Sequence, residues 1–255
     1  MKKYQRYVLS IGLSICLLAP AVSWAESFRL LRNYPDRMPL SFMDGKGQPT
    51  GFETELMAEI VKRSGLSLNE EFVPSIRHGL QALREGEADL LVAAVSITEE
   101  RKKEFDFSEE YFLSRPMIIT KDSSIKSFAD LADKKVGMIQ DSVHERRIRA
   151  VQEGTEQEGS TLGRDTIFLA LKDMLQGKSA AIVGGESYMA QIPSLYEKYQ
   201  LTAVFDDSFA QDHYAIAIRK GNDNLRLKIN VALQQMKEDG ALQRLTDKWY
   251  GQKKL

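Results

Sequence analysis

Two periods of hydrophobic and polar residues alternate along this chain. Residues 28–31 read as a short strand, 33–39 as a loop rich in proline and charge, and 40–42 as extended backbone. Residues 44–47 follow as a turn whose two glycines tolerate positive φ. From Glu53 the apolar residues Leu56, Met57, Ile60 and Val61 recur at helical spacing, which predicts a helix stopping near Ser64 and Gly65. A strand over 68–73 comes next, then a short helix marked by Leu80 and Leu83 and ended by Gly86. Residues 90–95 are apolar without a break, which suits a strand buried on both faces.

The same order then starts again. Residues 136–139 predict a strand, and Ser142 is a good N-cap for a helix after it. Residues 165–176 predict a helix, with Ile167, Leu171 and Met174 among its apolar side chains, 180–183 a strand, and 186–191 another helix. Residues 153–159, acidic and glycine-rich, read as an exposed loop. Alternating strands and helices imply an α/β domain with a largely parallel sheet, and two such series imply two lobes.

Composition narrows the setting. Hydrophobic residues at 43% and charged residues at 28% leave enough apolar surface for a packed core, so global disorder is excluded. Lys2, Lys3 and Arg6, the apolar stretch 8–18, Pro20, and the small residues Ser23 and Ala25 form a secretory signal over 1–25, with cleavage expected after Ala25. The apolar stretch is short for a membrane span of ~20 residues. Without it the chain carries 32 basic and 36 acidic residues, which offers no electrostatic footprint for nucleic acid. Cys16 is the only cysteine and lies in the signal, so the mature chain folds without a disulfide. His78, His144 and His213 are scattered without metal-ligand spacing, and neither a metal nor a cofactor is expected.

Five stretches carry a more specific message. They are Gly51-Phe52-Glu53, the run from Leu83 through Gly86 to Asp89, Ser96-Ile97-Thr98-Glu99-Glu100-Arg101 continuing to Tyr111, Phe128-Ala129-Asp130-Leu131 with Val136-Gly137, and Asp239-Gly240-Ala241-Leu242 with Trp249-Tyr250-Gly251. In content and order this set resembles the family 3 bacterial extracellular solute-binding proteins. The resemblance implies a two-lobed type II periplasmic binding protein fold, each lobe a mixed, mostly parallel sheet flanked by helices, joined by two hinge strands. Lobe 1 would comprise 26–113 and 213–255, and lobe 2 would comprise 114–212. Trp249 and Tyr250 are expected to pack on lobe 1.

The resemblance also implies a site in the cleft between the lobes. It places Arg101 at the carboxylate-binding position, where a guanidinium fork gives two parallel charge-assisted hydrogen bonds. Ser96 and the backbone around Ala94 lie nearby at the end of the preceding strand. Across the cleft, Ser142 opens a helix whose free N–H groups favour an anion, with Asp141 standing where the family has a glycine. Gly185 falls at the family's ammonium-binding aspartate, and Glu186 beside it is the candidate substitute. Arg37 and Ile76 fall at positions that often carry aromatics, with Tyr34, Asp36, Phe42 and Arg77 as neighbouring candidates; Arg37 and Arg77 facing the cleft together with Arg101 would favour an anion or a dicarboxylate. The expected function is capture of a small polar, carboxylate-bearing ligand and delivery by a monomer to an ABC transporter permease in the periplasm. A periplasmic cyclohexadienyl dehydratase, which shares the fold, and a ligand sensor subunit are the alternatives.

Overall fold

The computed structural model describes residues 27–33, 36–156 and 160–251. The signal segment, Tyr34 and the tip of the acidic loop lie outside the described residues, as does the side chain of Asp36.

The first sheet grows around β1 (Ser27–Asn33). Next in the chain come a small sheet of β2 (Asp36–Arg37), β3 (Ser41–Met43) and β4 (Pro49–Thr50), and then helix α1 (Phe52–Ser64). The expected loop at 33–39 therefore contains a short strand, with Arg37 opposite Ser41. Gly51 makes the junction possible: its φ is 119°, and a Cβ there would sit 2.7 Å from the Leu40 carbonyl oxygen. That close approach lets the amides of Phe52 and Glu53 donate to the carbonyls of Pro39 and Leu40, at 3.0 and 2.9 Å, which fixes the start of α1. Gly65, in the left-handed conformation, ends the helix.

Strand β5 (Ser67–Val73), helix α2 (Ile76–Glu85) and strand β6 (Leu90–Ser96) complete the parallel part, with β1 lying between β5 and β6. Every residue of β6 is buried, as its unbroken apolar run requires. Helix α3 (Glu99–Glu104) and strands β7 (Phe105–Phe107) and β8 (Phe112–Ser114) follow.

The chain then enters a second sheet through β9 (Pro116–Thr120). Strand β10 (Val136–Ile139) leads into helix α4 (Val143–Gln152), and β11 (Thr161–Arg164) into helix α5 (Ile167–Leu175). Helix α5 starts later than the apolar pattern suggests because Thr166 caps it, its hydroxyl accepting from the Leu169 amide at 3.2 Å. Strand β12 (Ala181–Gly185) precedes the short helices α6 (Glu186–Met189) and α7 (Ile192–Leu195), and then β13 (Thr202–Phe205). The order across this sheet is β11-β10-β12-β9-β13, with β10 parallel to β11 and β12, and β9 antiparallel to β12 and β13.

Strand β14 (Asp212–Arg219) returns to the first sheet and lies between β6 and β7, antiparallel to both. It also pairs with β8, so that Asp212 stands opposite Ser114 and the two chain crossings support each other. Helices α8 (Asp223–Glu238) and α9 (Ala241–Tyr250) then pack against α1. At the end of α9, Trp249 meets Phe42 edge-on at 5.7 Å, and Tyr250 lies 5.5 Å from Phe52 and 4.7 Å from Phe112 between ring centroids, so both pack on the first lobe. The architecture is the expected two-lobed α/β fold with mixed sheets. Among the described residues no helix is long and apolar enough to cross a membrane.

Candidate functional site

The C-terminal ends of β1 and β6 face the start of α4 across the space between the lobes, as binding sites in α/β folds commonly do. The cavity enclosed there is ≈ 30 Å³, about the volume of one water. A solute of several heavy atoms therefore enters only if the lobes part.

Arg101 forms one wall. The hydroxyl of Thr98 caps α3 by accepting the Arg101 amide at 3.1 Å. The guanidinium donates through Nη1 to the Ser96 carbonyl at 2.9 Å and through Nη2 across the cleft to the Asp141 carbonyl at 3.4 Å. Burial, and then the nearby Arg146, lower its pKa to about 10, so it remains cationic at neutral pH. The cavity contains a buried, oriented guanidinium.

The backbone beside it is strained. Ala94 has a φ of 51°, a left-handed conformation unfavourable for a residue with a Cβ. Its amide donates to the Glu53 carboxylate at 2.7 Å, and the Tyr111 hydroxyl donates to the same oxygen. The Gly-Phe-Glu stretch at the head of α1 thus holds the cleft end of β6. The Ala93 carbonyl accepts from Arg37 Nη1 at 3.4 Å. Arg37 is buried, lines the cavity, and lies with its guanidinium carbon 5.7 Å from the centre of the Tyr188 ring.

The second lobe contributes the start of α4. Ser142 caps it, accepting the Glu145 amide at 3.3 Å, while Glu145 reaches back to the Asp141 amide at 2.7 Å. Asp141 occupies the left-handed region at φ 58° and carries its exposed carboxylate on the rim, 3.6 Å from Arg77 Nε. His144, one residue into α4, lines the cavity with Nδ1 lacking a hydrogen-bond partner, and its Nε2 lies 3.5 Å from Asp212. Burial dominates over the Asp212 charge and lowers the His144 pKa to about 4, so its ring is neutral at neutral pH. Asp212 also pairs with Arg147 at 2.9 Å.

The residues singled out in the sequence therefore separate. Arg101, Ser96, Ala94 and Ser142 meet around one cavity. Arg77 sits outside it, half-exposed and facing Asp141, because α2 turns that side chain toward the rim. Glu186 leaves the cleft altogether: its carboxylate accepts from Arg115 Nε and Nη2, both at 3.1 Å, and Arg115 lies 4.1 Å from the centre of the Phe205 ring. Gly185 presents only backbone, and the volume a side chain would need is taken by the Tyr214 hydroxyl and by Ser114 Oγ, 2.9 Å from an ideal Cβ. Asp36 places its backbone on β2, with its side chain outside the described residues, and Tyr34 lies outside them entirely.

Asn33, His144, Tyr188 and Tyr214 also line the cavity and were not singled out in the sequence. Asn33, a polar and buried residue at the end of β1, was the one signal available for them.

The whole layout has counterparts among known proteins. The model of the bacterial extracellular solute-binding proteins, family 3, matches residues 33–252. The chain is a family 3 extracellular solute-binding protein. This binding protein is 45% identical over 242 residues to the amino-acid-binding protein AabA of Dichelobacter nodosus, covering 93% of this chain and 94% of that one. It is 30% identical over 217 residues to the L-cystine-binding protein TcyJ of Escherichia coli (strain K12), covering 84% and 79%. Among solved structures, an ancestral arginine-binding protein bound to glutamine superposes with a TM-score of 0.79 at 31% identity, covering 88% of this chain and 98% of that one. These relatives are named for binding, which does not favour the dehydratase alternative.

Proposed function

We propose that this protein captures a small carboxylate-bearing solute, an amino acid or a related compound, between its lobes and passes it to the permease of an ABC transporter. The observation that carries this reading is Arg101, a buried guanidinium inside the interlobe cavity, opposite the N-terminal end of α4. A carboxylate between them meets a charge-assisted fork on one side and the positive end of a helix dipole on the other. Arg101 and Ser96 belong to the first lobe and Ser142 to the second, so a solute touching all three favours closure. The lobes divide at 114 and 212, and motion is concentrated at those crossings. The protein works as a monomer in the periplasm after removal of residues 1–25.

The test is calorimetric titration of the mature chain with amino acids, short carboxylates and sugars. The reading expects binding of at least one carboxylate, lost by a hundred-fold or more in Arg101→Ala. Binding confined to sugars, or carboxylate binding indifferent to Arg101→Ala, overturns it.

A further inference from the structure

We propose that the lobes carry an ionic clasp of their own: two ion pairs on the rim of the cleft that draw the lobes together and set their register without touching the solute. The clasp serves whichever solute is bound and does not rest on the carboxylate reading.

The first ground is position. Arg77, the second residue of α2, has its Nε 3.6 Å from the Asp141 carboxylate. Glu100, the second residue of α3, has its carboxylate 3.0 Å from Arg146 Nη1 on α4. In each pair one partner belongs to the first lobe and the other lies at the start of α4 in the second. Among the described residues that line the cavity, none of these four appears. The pairs therefore act on closure and not on the solute. They differ in this from the bond between Arg101 and the Asp141 carbonyl, whose donor is itself part of the cavity wall.

The second ground is the pattern of charge. The first lobe presents a cation at Arg77 and an anion at Glu100, and the second answers with an anion at Asp141 and a cation at Arg146. A second lobe shifted so as to exchange the partners would set Arg77 against Arg146 and Glu100 against Asp141. Both contacts would then repel. Crossed complementarity of this kind fixes register as well as attraction.

The third ground is the anchoring of Asp141. Its backbone is left-handed at φ 58°, a conformation that aspartate tolerates better than most residues with a side chain. Its amide donates to the Glu145 carboxylate at 2.7 Å, and its carbonyl accepts from Arg101 at 3.4 Å. Both backbone groups are engaged, and the carboxylate faces Arg77 across the rim.

The four side chains are between 45% and 66% exposed, so water and salt reach both pairs. Each pair shifts the balance of closed and open forms by about five-fold at most. The Debye length falls from ~10 Å at 0.1 M salt to ~3 Å at 1 M, so the clasp loosens as ionic strength rises. A weak clasp biases closure without preventing the reopening that release requires.

The experiment reads the distance between the lobes. Residues 26–255 contain no cysteine, so Lys103→Cys in the first lobe and Lys172→Cys in the second, both at exposed positions, take a pair of fluorescent labels. The labelled chain is unfolded, dialysed and refolded to strip any solute carried through purification. Single-molecule energy transfer is then measured from about 0.02 M to 1 M sodium chloride. The series comprises the labelled chain alone, Glu100→Lys, Arg146→Glu, and the two substitutions together. Circular dichroism checks that each is folded. Expected is a closed population that falls as salt rises. At low salt either single reversal should lower the closed-to-open ratio by about five- to ten-fold, and the double exchange should return it to within about two-fold of the starting value. The double exchange also separates the clasp from damage to the fold, because a second reversal does not repair a fold that the first has damaged. No solute is added, so the influence of Arg146 and Glu100 on the Arg101 charge does not enter the result. A ratio indifferent to salt, an open population alone at low salt, or a double exchange as open as the single reversals overturns the proposal.

Discussion

Glu53 holds Ala94: its carboxylate accepts the Ala94 amide at 2.7 Å while Ala94 keeps a left-handed backbone, φ 51°. The acid sits at the head of α1 and the strained residue at the cleft end of β6, so a residue outside the cavity lining shapes its wall. Glu53→Ala leaves a buried amide and the Tyr111 hydroxyl without their acceptor and should lower stability by about 2–4 kcal/mol. Ala94→Gly should leave the fold equally stable, or more stable by up to ~1 kcal/mol, because glycine adopts this conformation without a steric penalty. Denaturant unfolding of both variants checks the pair, and a stability loss in Ala94→Gly would show that the Cβ matters more than the strain.

Glu186 is tied to Arg115 and should be irrelevant to solute. Glu186→Gln is expected to leave the dissociation constant within about two-fold of the wild type, and to change stability by less than ~1 kcal/mol, since Arg115 is substantially exposed. Calorimetry on this variant decides it, and a ten-fold loss of affinity would return Glu186 to the cleft.

His144 should make the protein acid-sensitive. It faces Asp212, with Arg147 and Arg101 nearby, and burial holds its pKa at about 4 against 6.5 for an ordinary histidine. Between those values the unfolded chain binds a proton that the folded chain does not, so stability rises with pH across this window and is lost as pH falls through it. The full contribution is on the order of 3 kcal/mol. His144→Gln should flatten the stability profile between about pH 6.5 and pH 4 relative to wild type. Unfolding at closely spaced pH values measures the difference, and parallel profiles would mean that the ring accepts a proton in place.

What was legible in the sequence was what is local. The run from Ser96 to Arg101 encodes a strand end, a capping threonine and a short helix, and those few residues are enough to set Arg101 beside Ser96. The two-lobed fold was legible for a similar reason, since β6, β10 and β12 are buried apolar runs and α1 carries a clear helical stripe. Strands β9, β11 and β13, among those left unmarked, are four or five residues long, and the pattern of so short a piece does not separate strand from loop. Side-chain direction at the site was not legible. Glu186 turns outward because Arg115, 71 residues earlier, meets it there, and Gly185 stays bare because Tyr214 arrives from the returning strand. His144, scattered among three histidines in the sequence, enters the cavity only because α4 begins opposite β6.

The place of β14 in the first sheet also governs the order in which the molecule can be completed. All strands of the second sheet lie between Pro116 and Phe205, so that lobe has its full set before β14 exists on a growing chain. The first lobe begins earlier yet finishes later, because the strand that belongs between β6 and β7 starts only at Asp212. Until then β6, apolar along its whole length, keeps an open edge, and a chain halted before Asp212 presents one finished lobe beside an unfinished, association-prone one. The first sheet therefore stays incomplete until the last strand is in place.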